Sequence, residues 1–320
     1  MEIISNPTQD EIKKAAQALM DGHLVAFPTE TVYGLGADAT NEKAVSKVYS
    51  VKARPTDHPL IVHISSINRL DSWAVNIPDF AMKLAKEFWP GPMTLILKRS
   101  EIAKDFITGG QENVGVRVPS HPVALALLSE FEKLGGNGIA APSANRFGAV
   151  SPTSANDVYD EVGRSLTDQD FILDGGNSKV GIESTIVDCT GPQPSIMRPG
   201  LVTLSEIRET SVREVIQNFE SNGLRFPGSH RSHYSPTARV KHNTQAFAGE
   251  GFLALSKTPT PLGAIRLGAP NTIEEFAQIL YKSFRLGDKL NLQTIVVEMS
   301  DTTEIGLAIL DRITKSANQN

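Results

Sequence analysis

The chain has 320 residues, 40% of them hydrophobic and 21% charged, with a net charge of −5 at neutral pH. A chain of this length buries a sizeable core and favours about two domains. Its single cysteine, Cys189, excludes an internal disulfide and a multi-cysteine zinc site. The acidic balance argues against a general nucleic-acid binder, whose phosphate-facing surface would be basic.

Asp10 and Glu11, followed by Ile12, Ala15, Ala16 and Leu19 at helical spacing, predict a first helix that stops at Gly22. No basic region leads into an apolar core here, so a secretory leader is not expected and cytoplasm is the expected compartment. The longest apolar runs, 251–255 and 294–297, are strand-sized against the roughly 20 residues a bilayer helix needs, so no membrane span is expected. Residues 24–27 form a short apolar run, and 28–36 (PTETVYGLG) read as a strand leaving into a glycine-punctuated loop. The pattern then predicts a helix over 42–51, a buried strand over 59–64 (PLIVHI), a helix over 80–88 and a strand over 94–97. A strand over 114–118, a helix over 122–134 and a strand over 139–141 follow. Short strands are expected at 172–174, 184–188 and 195–198, and a closing helix over 204–219. This alternation predicts an α/β fold with a mixed, twisted sheet, because some connections are too short for parallel crossovers.

Residues 224–239 (LRFPGSHRSHYSPTAR) lack hydrophobic periodicity and read as a linker lying on a surface. The pattern restarts at 240 with strands over 252–255 and 294–298 and helices over 273–284 and 303–315, a small βαβ-like unit. The expected division is 1–223, a linker at 224–239, and 240–320, with no internal repeat.

Four clusters could carry chemistry. Lys52, Arg54 and His58 lie in one loop between a helix and a buried strand, where a lysine and an arginine can hold phosphate or carboxylate; a solvated surface loop is the plainer reading. Arg117 stands among apolar residues at a strand end, so it needs either a structural carboxylate or an anionic ligand. His63, inside an apolar run, is a substrate contact or a satisfied core histidine. Ser143, Asn145 and Ser151 offer uncharged donors after a strand, in a sequence that is neither a Walker A loop nor a dinucleotide fingerprint; a tight strand-to-loop turn would use the same residues. Ser184 at the start of one strand and Arg198 at the end of the next can converge. Glu30 and Glu183 lie in the same motifs, where hydrogen bonding within loops is the favoured role.

In order and spacing, the segments PTETVYGLGADAT, KARPTDHPLIVHI, WPGPMTLIL, VGVRVPSHP, APSANRFGAVSPT and GIESTIVD with IMRPG resemble the threonylcarbamoyl-AMP synthase family. They cover most of residues 10–205, and PGSHRSHYSP is similar to the linker of the family's long form. The resemblance implies a twisted mixed-sheet YrdC-like catalytic domain, the linker as a lid, and a small Rossmann-like carboxy-terminal domain. It implies a nucleotidyltransferase that condenses L-threonine, bicarbonate and ATP to threonylcarbamoyl-AMP and pyrophosphate, for threonylcarbamoyladenosine in tRNAs that decode codons beginning with A. The product would pass to a tRNA threonylcarbamoyl transferase.

Carried onto matching positions, the resemblance implies that Thr31, His63, Arg117 and Ser184 cradle threonine with the backbone at Ala141, Arg117 taking the carboxylate. Lys52, Arg54, Ser143, Asn145, Ser151 and Arg198 would hold ATP, His58 and Asn113 would reach it, and Tyr234 would close over the cavity. Lys52 and Arg54 would be catalytic by offsetting phosphate charge, with Mg²⁺ arriving on the nucleotide and no metal ligand assigned to the protein. The sequence departs from the family at Ala53, where glycine or a basic residue is usual, in the serines of residues 229–232, and at Leu310, where asparagine is frequent. A binding module would instead use Lys52, Arg54, Arg117 and Arg198 to grip RNA, so weak RNA binding is a further implication. A carbamoyltransferase component of the hydrogenase-maturation type would carry zinc-finger regions, which one cysteine disfavours.

Overall fold

The structure is a computed structural model that describes residues 3–217, 223–229 and 233–318. Local chemistry sets several helix starts. Thr8 accepts from Glu11 N while the Glu11 carboxylate returns to Thr8, a capping box that opens the helix Gln9–Met20. Asn41 caps Glu42–Lys52, and Ser154 with Asp157 boxes Ala155–Val162. That last helix is additional to the sequence expectation, because polar and acidic residues dilute its short apolar face of Ala155, Val158 and Val162.

Among the described residues, eleven strands form one mixed sheet. Its order is Ile3–Ser5, Phe171–Asp174, Val25–Phe27, Gly34–Asp38, Ile139–Ala140, Ile61–His63, Asn113–Arg117, Met93–Lys98, Thr185–Asp188, Ser195–Arg198 and Ile216–Gln217. Ile61–His63 and Asn113–Arg117 run parallel with His63 opposite Arg117, and Met93–Lys98 pairs antiparallel to the latter and parallel to Thr185–Asp188. The ends of these central strands therefore bring His63, Arg117 and Ser184 to one edge of the sheet.

Three expectations are corrected. The segment 28–36 does not run from strand into loop: its glycine-punctuated end opens the buried strand Gly34–Asp38, where a side chain at Gly36 would come within 2.8 Å of both Ile139 and Phe27; the glycine there serves close packing, not a turn. The closing helix spans only Leu204–Ser211, ends at Val212 with a left-handed φ of 52°, and is followed by the strand Ile216–Gln217; positions 218 and 219 lie outside the described residues. The linker does not simply lie on a surface. Phe226 is 2% exposed among Ile61, Ile96, Ile186 and Met197, and Tyr234 is 1% exposed. Isolated aromatic anchors on irregular backbone leave no periodic signal.

The carboxy-terminal unit has four parallel strands in the order Arg239–His242, Thr294–Glu298, Gly251–Ala254 and Ile265–Gly268, two more than expected. The helices Ile273–Lys289 and Glu304–Ala317 extend beyond the predicted spans. A parallel sheet needs apolar cover. Here the cover also joins the two units, because Val32, Val150 and Ile182 share a cluster with Phe276, Leu280, Tyr281 and Ile309. No helix among the described residues is long and apolar enough to cross a membrane.

Candidate active site

The strand edge opens into a cavity of about 50 Å³. Thr31, His63, Arg117, Ala141 and Ser184 line it together with Arg54, Ser143, Arg198 and Tyr234. Nine residues singled out in the sequence thus meet in one place.

Arg117 is 4% exposed and engages Glu30 Oε1 at 2.6 Å, Thr31 Oγ1 at 3.0 Å and the Gly91 carbonyl at 3.2 Å. The other Glu30 oxygen accepts from Ser120 N at 3.0 Å. Arg117 also lines the cavity, and a guanidinium carries five N–H donors, two more than these three partners use. Burial with the Arg117 charge nearby lowers the His63 pKa to about 3, which keeps the ring neutral, and its Nδ1 has no partner. Ser184 Oγ sits 2.8 Å from Thr94 Oγ1 and accepts from Arg198 Nη2 at 3.1 Å.

Before Arg54, Ala53 closes the helix Glu42–Lys52 in a left-handed conformation with φ 49°, which turns the chain between Lys52 and Arg54. Lys52 is fully buried and donates to the Ser143 carbonyl at 2.5 Å and to the Asn145 carbonyl. Burial, then the Arg54 charge, pushes its pKa well below the usual lysine value. Arg54 donates to the Pro59 carbonyl at 2.9 Å, lies 5.8 Å from the Phe147 ring centre and leaves Nε unpartnered; burial lowers its pKa to about 10.

Five expected residues stand outside the lining. Lys52 braces the loop of Ser143 and Asn145. The Asn145 amide donates to the Arg146 and Ala149 carbonyls at 2.6 and 2.8 Å. Ser151 donates to Glu183 at 2.6 Å. His58 packs edge-on to Phe147, and Asn113 lines a separate apolar hollow beneath residues 224–227. Described residues of the linker, Pro227, Gly228, His233 and Tyr234, line the cavity: Arg198 Nη1 donates to the Pro227 carbonyl at 2.9 Å, and Tyr234 takes a left-handed φ of 62° with its hydroxyl buried and unpartnered. Among the described residues, no three histidine, cysteine or carboxylate side chains are grouped to hold a metal ion.

A family model described as "Telomere recombination", for Sua5, YciO and YrdC, matches residues 17–200, and one for the carboxy-terminal domain of threonylcarbamoyl-AMP synthase matches 202–318. The threonylcarbamoyl-AMP synthase of Pyrococcus abyssi is 37% identical, over 96% of this chain and 94% of its own. That of Bacillus subtilis is 36% identical over 99% and 95%. This chain belongs to the threonylcarbamoyl-AMP synthase family. A crystal structure of P. abyssi Sua5 complexed with L-threonine superposes with a TM-score of 0.89 at 36% identity, covering 99% of this chain and 98% of that one.

Membership in the synthase family makes the chain an enzyme of the YrdC-like, two-domain form. Sequence reasoning missed His233 in the cavity wall and two side chains of the carboxy-terminal domain, Tyr281 and Arg312, which reach Glu183. Arg312 did leave a signal, since it falls on the same helical face as the buried Ile309 and Ile313.

Proposed function

We propose that this chain is an L-threonylcarbamoyladenylate synthase, a nucleotidyltransferase that joins L-threonine, bicarbonate and ATP and releases pyrophosphate. The observation that carries this reading is Arg117, a buried guanidinium that lines the same pocket as the hydroxyls of Thr31 and Ser184. A guanidinium with a planar fork of donors suits an amino-acid carboxylate. The complex of P. abyssi Sua5 with L-threonine supports the choice of amino acid.

In this reading Thr31, His63, Arg117, Ser184 and the Ala141 backbone hold threonine, with the neutral His63 offering an acceptor to its hydroxyl or amine. Carbon dioxide from bicarbonate adds to the amine, the proton leaves, and an oxygen of the carbamate attacks the α-phosphorus of ATP as the bond to pyrophosphate breaks. Arg54 and Arg198, which line the same cavity, offset charge on the phosphates. Ser143 binds the nucleotide. Lys52 acts from beneath by fixing the loop that carries Ser143 and Asn145, and His58, Asn113, Asn145 and Ser151 reach ATP only on rearrangement of the closed state. No described cluster forms a cage for Mg²⁺, so we assign the ion to the phosphates of ATP and derive no step through it.

The cavity is smaller than the roughly 150 Å³ apolar cavity known to take up benzene, so nucleotide entry requires the segment bearing Pro227 and Tyr234 to lift. Reclosure excludes water from a carbamate that would otherwise revert. The product would serve a tRNA threonylcarbamoyl transferase, and cytoplasm is the compartment this role implies. The test is pyrophosphate release by the purified chain with Mg²⁺ and ATP, the adenylate being identified by mass. Release that requires both threonine and bicarbonate is expected; ATP left intact under every combination overturns the proposal.

A further inference from the structure

The carboxylate of Glu183 is the meeting point of both domains. It is 6% exposed and lines the cavity directly before Ser184. Its Oε1 accepts from Ser151 Oγ at 2.6 Å, from the same domain, and from Tyr281 Oη at 3.1 Å. Its Oε2 accepts from Tyr281 Oη at 2.9 Å and Arg312 Nε at 3.1 Å. Tyr281 and Arg312 come from the helices Ile273–Lys289 and Glu304–Ala317 of the carboxy-terminal domain.

Arg312 is 0% exposed and does more than neutralise a charge. Its Nη2 donates to the Glu183 carbonyl at 3.4 Å and its Nη1 to the Pro199 carbonyl at 2.6 Å. Glu183 and Pro199 are the chain neighbours of Ser184 and Arg198, the two cavity residues that bond to each other at 3.1 Å. One planar guanidinium therefore fixes the backbone beside both members of that pair, which a lysine ammonium could not span in the same geometry. The same interface grips the linker at Tyr234: Ser316 Oγ donates to the Tyr234 carbonyl at 2.9 Å, and the Tyr234 and Tyr281 rings stack with centres 5.9 Å apart. Arg285 adds a bond to the Val150 carbonyl, next to Ser151.

We propose that Tyr281 and Arg312 are positioning residues for the amino-acid side of the pocket, acting through Glu183 on Ser184 and on the Arg198 side chain that donates to the Ser184 hydroxyl, so that the carboxy-terminal domain is a working part of the site. The inference rests on the assignment of this pocket to threonine. Burial alone would raise the Glu183 pKa, and the Arg312 and Arg198 guanidiniums outweigh it and keep the group ionised. The unit therefore consists of a buried anion held by donors from two domains, and removing one donor leaves it incompletely satisfied.

The test uses the full chain and measures threonine binding by calorimetry alongside threonine-dependent pyrophosphate release, for Tyr281→Phe, Arg312→Lys and Arg312→Met. A control, Phe252→Leu, cuts the carboxy-terminal core away from Glu183. Tyr281→Phe is expected to weaken threonine binding about tenfold and Arg312→Met by more, with Arg312→Lys recovering only part. The control should leave the threonine Kd unchanged even where it lowers the melting temperature as far. Threonine affinity equal to the parent's in the folded Tyr281 and Arg312 variants overturns the inference, and so does an equal loss in the control. A parent that binds threonine but releases no pyrophosphate overturns the proposed reaction and leaves the positioning role standing on the binding data.

Discussion

Arg117→Met separates what the buried ion pair does for folding from what it does for the ligand. The substitution leaves Glu30 with Ser120 N as its remaining partner at 3.0 Å, inside the protein and without its counter-charge 2.6 Å away. Removing one member of a buried pair costs about 3–5 kcal/mol. Threonine would lose charge-assisted hydrogen bonds of about 1.5–3 kcal/mol, which is roughly a 10- to 150-fold rise in its Kd. The double variant Arg117→Met with Glu30→Gln removes the stranded charge, so urea unfolding should recover most of the lost stability while the threonine Kd stays high. Paired denaturation and calorimetry on the parent, single and double variants measure both quantities. Recovery of threonine affinity together with stability in the double variant would refute the assignment of Arg117 to the carboxylate, because the binding loss would then have been a folding loss.

Lys52→Ala orphans the Ser143 and Asn145 carbonyls and should lower kcat at least a hundredfold while the threonine Kd changes little; stopped-flow turnover with parallel calorimetry checks the split. A side chain at Gly228, which has a φ of +87°, would lie 2.3 Å from Tyr234 Oη. Gly228→Ala should therefore hold the segment bearing Pro227 and Tyr234 ajar and raise the fraction of ATP consumed without threonylcarbamoyl product, as read by chromatography. The His63 pKa falls from 6.5 to about 3 on folding. Between those values the unfolded chain binds more protons, so this contribution is complete above pH 6.5 and is lost as the pH falls through the window, about 2 kcal/mol by pH 5. The stability gap between the parent and His63→Gln should shift by that amount between pH 7 and pH 5, and a gap that does not move with pH would contradict burial of a neutral ring.

Where a helix or strand can be read from the sequence, the reading rests on local chemistry. The strand Thr294–Glu298 and the helix at Pro122 follow from apolar spacing and from proline at the first turn. The glycine-punctuated end of 28–36 reads as a loop because glycine punctuates loops more often than it serves close packing, and only the contacts of Ile139 and Phe27 decide between them. Lys52 stands out in the sequence, yet its Nζ donates to the Ser143 and Asn145 carbonyls instead of lining the cavity, a placement set by residues 91 and 93 positions away along the chain.

By itself the sequence determined the α/β class and the order of the motifs, because periodicity and turn residues are local properties, and the resemblance carried by those motifs implied which chemical types gather at the site. Only the tertiary structure decided how those groups are satisfied. Glu30 meets Arg117 across 87 positions and Glu183 meets Arg312 across 129, pairings set by strand register and by the packing of one domain on the other. The pairing of Arg117 with a structural carboxylate at the cavity wall, and the reach of the carboxy-terminal domain to Glu183, depend on those distances, which no spacing along the chain encodes.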